Sequence, residues 1–195
     1  MKHPNFFTQE EANKVLRKIR EIGNRHGQLG DRNEVLFKLI YRTGMRISEA
    51  INLDVSNVSF TGEYGTISVY RKGGYWGTLS LDERMGEDLE RYIDNHKIKK
   101  GKLFNITRQR AWQILREALD ELGLDDDRPK NHRRSPHTWR HSNAIMLLMS
   151  GMSTREVQER LGHSNIATTE QYLKYLPEEH LAEKNIEIWR EIDEK

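Results

Sequence analysis

The chain has 195 residues, 35% of them hydrophobic and 32% charged, with a net charge of only +2, which suits a folded protein with a substantial core rather than a disordered polyelectrolyte. It contains no cysteine, so disulfide scaffolds, cysteine-ligated zinc or iron–sulfur centres and thiol nucleophiles are excluded, and a reducing, cytoplasmic compartment is the expectation. The longest strictly apolar run, Ala144 to Met149, is far short of the roughly 20 residues a membrane helix needs, and Met1-Lys2-His3-Pro4 opens no secretory signal, so no membrane partner is expected.

In chain order, Thr8-Gln9-Glu10-Glu11 is a capping box, and Ala12, Val15, Leu16, Ile19 and Ile22 follow at helical spacing with Gly23 as the expected stop. Asp31 with Glu34 repeats the device for a second helix that carries Val35, Leu36, Leu39 and Ile40 and ends at Gly44; Met45 to Leu53 reads as a further short helix. The period then changes. Val55 to Leu81 alternates as strands do, with turns near Thr61-Gly62 and Gly73-Gly74, which predicts a small antiparallel sheet. Helices are expected near Asp82 to Asn95, Thr107 to Leu122 and Pro136 to Met149, the last with Ser135 as N-cap and Pro136 in its first position. Ser153 to Glu156 is another capping box for a helix stopping at Gly162. A helix near Asn165 to Tyr175 follows, and after Pro177 an amphipathic helix from Glu178 to Ile192 closes the chain. The fold class expected is mainly α (α+β), with the sheet inserted after the second to third helix, as one compact domain over 1–176 and a tail over 177–195.

Charge is unevenly spread. From Pro177 to Lys195 seven acids stand against three bases, so the tail carries −4 and the remainder +6. Lys97 to Lys102 holds four lysines, and Arg128 to His141 holds five Lys/Arg and three His without an acid; such runs suit either a phosphate backbone or a solvated surface.

Three places hold residues suited to chemistry. In Gly44-Met45-Arg46-Ile47-Ser48-Glu49, either Arg46 and Glu49 form a plain local pair, or Glu49 orients the Arg46 fork to bind a phosphate bidentately. In His137-Thr138-Trp139-Arg140-His141, His137 and Arg140 share a face at the positive start of a helix, which favours an anion. His137 and His141, four apart, could instead be metal ligands, but no carboxylate completes the set nearby and no glutamate stands between them as zinc proteases require. The third stretch, Leu161-Gly162-His163-Ser164 through Tyr172, supplies a histidine and a tyrosine. Together with Lys72 in the turn Tyr70 to Gly74, these residues are the parts for metal-free phosphoryl transfer. A tyrosine nucleophile, arginines against the non-bridging oxygens, and a lysine or histidine to protonate the leaving oxygen would suffice. No Walker A pattern and no obvious acid cluster for two magnesium ions competes.

The set Thr43 to Glu49, Lys72, Ser135 to His141, Leu161 to Ser164, Thr168-Thr169 and Tyr172 closely resembles the catalytic domain of the tyrosine recombinase (phage integrase) family, and the match runs from Phe7 to Tyr172. The resemblance implies that Tyr172 attacks a DNA phosphodiester to give a 3′-phosphotyrosyl link and a free 5′-hydroxyl. Arg46 and Arg140 would clamp the phosphate, Lys72 would protonate the departing oxygen, His137 would assist proton transfer at the tyrosine, and His163 would hold the scissile phosphate, with Glu49 supporting Arg46. It implies no metal, ATP or other cofactor, double-stranded DNA as partner, and a homo-tetramer on DNA in which the C-terminal helix, with Leu181, Ile186, Ile188, Trp189 and Ile192, docks on a neighbouring subunit or packs at home. Accessory DNA-binding proteins stay unspecified. The N-terminal clamp domain carried by most of the family is expected to be absent from this chain. Two related readings remain: a type IB topoisomerase, and a DNA-binding regulator that kept the fold without the reaction. Tyr175 is the reserve nucleophile.

Overall fold

A computed structural model describes residues 5–27, 29–61, 64–129, 132–176, 186, 189 and 190. Two compact units meet in sequence between Ser142 and Asn143. Among the described residues no helix is long and apolar enough to cross a membrane.

The first unit begins with α1 (Gln9–Arg25), α2 (Gly30–Thr43) and α3 (Ile47–Ala50). The Thr8 hydroxyl accepts from the Glu11 N–H at 3.2 Å while Glu11 accepts from the Thr8 N–H at 3.0 Å, so the expected capping box starts α1. Gly23 does not stop it. A Cβ there would lie 2.7 Å from Gly30 Cα, so this glycine is the point where the backbones of α1 and α2 approach, and α1 runs on to Arg25. Nor do Asp31 and Glu34 form a second capping box: both pair with Arg20 of α1, at 2.8 and 3.0 Å, and α2 starts behind Leu29 with no side-chain cap. Gly44 ends α2 as expected, in the left-handed region at φ 69°, with its N–H on the Ile40 carbonyl. The stretch expected to be helical from Met45 to Leu53 is helical only over α3, because Arg46 is extended at its N-cap.

A 3-10 turn (Val55–Asn57) leads into β1 (Val58–Thr61), β2 (Tyr64–Arg71) and β3 (Tyr75–Ser80), an antiparallel sheet in the order β1-β2-β3. Tyr70 stands opposite Trp76 and Ile67 opposite Leu79, and period-two alternation buries Ile67, Val69 and Leu79 on one face. Gly73 and Gly74, at φ 115° and 82°, make the tight β2–β3 turn that few other residues would allow. The turn expected at Thr61-Gly62 lies partly outside the described residues.

Next come α4 (Glu83–Asn95) behind an Asp82 cap, α5 (Arg108–Glu121) behind a Thr107 cap, and α6 (Pro136–Met149), whose first turn donates the His137 N–H to the Ser135 hydroxyl at 3.2 Å. α1 packs on α2 and α5, and α2 on α4. Trp139 of α6 is fully buried among Phe7, Phe37 and Tyr41, with ring centroids 4.5, 5.9 and 5.6 Å away. The chain ahead of α1 is laced to α6 and the residues just before it: the Phe7 N–H donates to Ser142 Oγ at 2.7 Å, Thr138 Oγ1 donates to Asn5 Oδ1 at 3.4 Å, and Arg134 donates to the Phe6 carbonyl at 3.3 Å.

The second unit continues from α6 with α7 (Thr154–Leu161), started by the expected Ser153–Glu156 capping box and ended by Gly162 at φ 66°. The single helix expected from Asn165 to Tyr175 is instead α8 (Ala167–Glu170) and a separate 3-10 turn (Leu173–Tyr175). Its backbone bonds are mostly of the i to i+3 kind, including Thr169 N–H to Ile166 O at 2.7 Å and Tyr172 N–H to Thr169 O at 3.0 Å, so no continuous α-helix forms. The helix expected over Glu178 to Ile192 lies outside the described residues apart from Ile186, Trp189 and Arg190.

Candidate active site

Arg46 caps α3, and one carboxylate fixes it twice: Glu49 Oε2 accepts the Arg46 backbone N–H at 2.7 Å and Glu49 Oε1 accepts from Nη1 at 2.8 Å. Glu49 is buried and Arg46 is a quarter exposed, so the pair is screened less than a surface ion pair. Arg140, on α6, is 1% exposed and donates from Nη1 to the Gly44 carbonyl at 2.6 Å. Two arginines thus meet one corner: Arg140 secures the end of α2 from beneath, and two residues later Arg46 emerges from it.

Two clefts of this unit share Arg46 and Ser48. One, about 740 Å³, is also lined by His137, Ser135, Arg108, Gln109 and Trp112. The other, about 680 Å³, is lined by Glu49, Lys72, Arg71, Ser68, Tyr70 and Trp76 among others. Lys72 is exposed at the tip of the β2–β3 turn. His137 is open to solvent on one side, yet the loss of water around the rest of its ring, followed by the positive charges of Arg140 and Arg46, holds its pKa below the ordinary histidine value. The same loss of water, with His137 and Arg140 adding to it and a backbone bond from Asn5 opposing, pushes His141 down to about 4. The two rings meet edge-on at 4.5 Å. Among the described residues no group of three His, Cys, Asp or Glu side chains comes together, so this pair gains no third metal-donating neighbour there.

Part of the basic run at Arg128 to His141 is turned inward. Asp125, 1% exposed, accepts from Arg116 Nη1 at 2.6 Å and from the Arg134 N–H at 2.8 Å, with Arg128 Nε at 3.3 Å. Arg134 in turn reaches Glu11 at 2.7 Å and lies over the Phe7 ring at 4.8 Å. Arg128 and Arg134 therefore anchor the start of α6 from within the fold, whereas His132, Arg133 and His137 of the same run are exposed.

In the second unit His163 Nδ1 lies 2.8 Å from Thr169 Oγ1, its carbonyl accepts from Gln158 Nε2 at 2.9 Å, and its ring is 6.3 Å from that of Tyr172. Tyr172 is 5% exposed and sits between α8 and the 3-10 turn; Tyr175, the reserve candidate, lies within that turn with Lys174 over its ring at 5.1 Å. Of the sequence candidates, Arg46, Glu49 and Lys72 therefore share one cleft, Arg46 and His137 another, Arg140 lies beneath them, and His163 and Tyr172 adjoin each other in the other unit. Sequence reasoning did not single out Tyr70, Trp76, Arg108 or Trp112 as cleft residues. For the first two the signal was present, since strand alternation on either side of Gly73-Gly74 puts them opposite each other.

The sequence matches a family model described as the phage integrase family over residues 5–179. It is similar to tyrosine recombinase XerD of Oceanobacillus iheyensis, 34% identical over 184 residues, and to tyrosine recombinase XerC of Halalkalibacterium halodurans, 32% identical over 187 residues. Each alignment takes in 88% of this chain and 58% of the relative, so the chain spans little more than half the length of the curated relatives it matches. Its fold is similar to that of XerH site-specific recombinase bound to palindromic difH substrate in a post-cleavage complex, with a TM-score of 0.76 and 26% identity over 96% of this chain and 54% of that one. The catalytic domain of bacteriophage HP1 integrase shares the fold at a TM-score of 0.65 and 24% identity, with 88% of each chain covered.

Proposed function

Because the chain belongs to the phage integrase family, we propose that it acts as a tyrosine-type site-specific DNA recombinase, working on double-stranded DNA as a homo-tetramer and using neither metal nor nucleotide cofactor. The observation that carries this reading is Arg46, locked by Glu49 on the wall shared by two clefts, with Lys72 lining one and His137 the other. Arg46 and Arg140 are assigned the non-bridging oxygens of the scissile phosphate, and His163 a further hydrogen bond to them. The planar guanidinium fork matches two such oxygens, and its charge opposes the charge that builds up at the crowded phosphorus.

In the proposed step the Tyr172 oxygen bonds to phosphorus while His137, held neutral near pH 7 by its lowered pKa, takes the phenolic proton. The bond from phosphorus to the 5′-oxygen breaks, and Lys72 supplies the proton that turns this oxygen into a free hydroxyl. One phosphate diester is exchanged for another, so no external energy source is required. A partner strand's 5′-hydroxyl reverses the sequence and releases Tyr172.

The test is an SDS-resistant adduct assay in EDTA on a pool of nicked duplexes, with peptide mapping of the product. Adduct on Tyr172, and none from Tyr172→Phe at unchanged DNA affinity, is the expected result. Salt-sensitive binding without adduct would favour a regulator, adduct with plasmid relaxation but no exchanged strands would favour a topoisomerase, and adduct on Tyr175 would move the nucleophile.

A further inference from the structure

The β2–β3 hairpin carries two large aromatic side chains that the fold itself does not bury. Ile67, Val69 and Leu79 take one face of the sheet into the core, and on the opposite face Tyr70 and Trp76 stand 58% and 61% exposed. Their rings meet edge to face with centroids 5.4 Å apart. Both line the cleft that also holds Arg46 and Lys72. Open aromatic faces inside a cleft also lined by Arg46, Arg71 and Lys72, with Glu49 paired to Arg46, offer what a nucleotide needs: a flat apolar surface for the base and positive charge for its phosphate.

We propose that Tyr70 and Trp76 form a stacking platform for the unpaired base of the nucleotide that bears the freed 5′-hydroxyl. The placement rests on the reaction read above. If the phosphate lies on Arg46 and the departing 5′-oxygen at Lys72, the base joined to that oxygen falls on the strand residues that flank Lys72, namely Tyr70 before the turn and Trp76 after it. The platform would keep the cut end close to the phosphotyrosyl link, where it can rejoin or give way to a partner strand. Every base has a π face, so stacking here would hold an end without reading its sequence. Both side chains belong to an exposed sheet face, so their removal leaves the buried core intact.

The probe is a short DNA single strand with a free 5′-hydroxyl and 2-aminopurine, whose fluorescence falls on stacking, as its 5′-terminal base. Wild-type protein and Trp76→Phe should quench the label. Trp76→Ala and Tyr70→Ala should bind the strand about tenfold more weakly and quench little. Trp76→Leu, which retains apolar contact with Tyr70 but has no ring, should behave as Trp76→Ala at an unchanged melting temperature, which separates stacking from support of the hairpin. Moving the label to the 3′ end should abolish the Trp76-dependent quench. Quenching that survives Trp76→Ala, that ignores the label's position, or that is missing in the wild type overturns the proposal. Because the assay needs no strand cleavage, quenching by a protein that forms no adduct would sink the recombinase reading and leave the platform, and adduct without quenching would do the reverse.

Discussion

Arg140 sits on a long helix and Arg46 is fixed by a buried carboxylate at the start of the four-residue α3, whereas Tyr172 lies between two single turns with His163 just ahead of them. In the first unit a carboxylate takes both the backbone and the side chain of Arg46, a carbonyl at the end of α2 takes Arg140, and Asp125 gathers Arg116, Arg128 and Arg134 under the start of α6. In the second unit a four-residue helix and a three-residue 3-10 turn bracket Tyr172, and the Thr169 hydroxyl lies 2.8 Å from a nitrogen of the His163 ring. Turns this short gain almost nothing from helix propagation, so their geometry depends on what packs against them. The contrast suits the proposed reaction, in which Arg46 and Arg140 are fixed before a phosphate arrives and Tyr172 rests on short turns.

The largest effect that would sharpen this contrast is on stability. Asp125→Asn should cost about 3–5 kcal/mol in urea unfolding, because the three guanidiniums would then face a neutral group in the interior; a loss near zero would break the idea that buried charge anchors α6. Next is Arg46→Lys, expected to lower the adduct rate by about 10²–10³-fold at unchanged melting temperature, since an ammonium lacks the fork. Arg140→Lys should lose a comparable rate and melt earlier as well, for it also surrenders the contact with the Gly44 carbonyl. Equal melting temperatures for the two variants would remove the structural role given to Arg140. Thr169→Val should slow adduct formation about tenfold, with DNA affinity unchanged, if the His163 contact positions that ring.

The smallest effect is a pH slope. His141 binds its proton at about 4 when folded and near 6.5 when unfolded, so between these values the unfolded chain holds the extra proton. The contribution is fully present above about 6.5 and is lost as pH falls toward 4. His141→Gln should flatten the slope of unfolding free energy in that window relative to wild type, and identical slopes would refute the assignment.

The architecture was legible wherever a local rule decides it. Thr8 with Glu11, Ser153 with Glu156, and the glycines at 44 and 162 are satisfied by neighbours a few residues away, and each acts as its pattern implied. Gly23, Asp31 and Glu34 misled because their partners lie on another helix: Gly30 approaches the first, and Arg20 takes the other two. Within the run from Arg128 to His141, the burial of Arg128 and Arg134 against Asp125 and Glu11 leaves no trace in local composition. At the candidate site the pairing of Arg46 with Glu49 was readable from their spacing, while the roles proposed for Arg46, Lys72, His137 and Tyr172 rest on the resemblance to the family. That Arg46 stands between two clefts, and that Tyr70 and Trp76 furnish a wall of one, depends on strand register and the packing of α3, which are properties of the folded chain.

Residues 5–7 are bonded to α6 at three levels, through Thr138, Ser142 and the buried Trp139 ring. The helix that carries His137 and Arg140 is thus fastened to the entry of the chain. Any load applied to residues 5–7 is delivered first to that helix, within a turn of His137 and Arg140. In mechanical terms residues 5–7 are a handle on α6, and a deletion or rigid fusion reaching Phe7 would act on the candidate site directly.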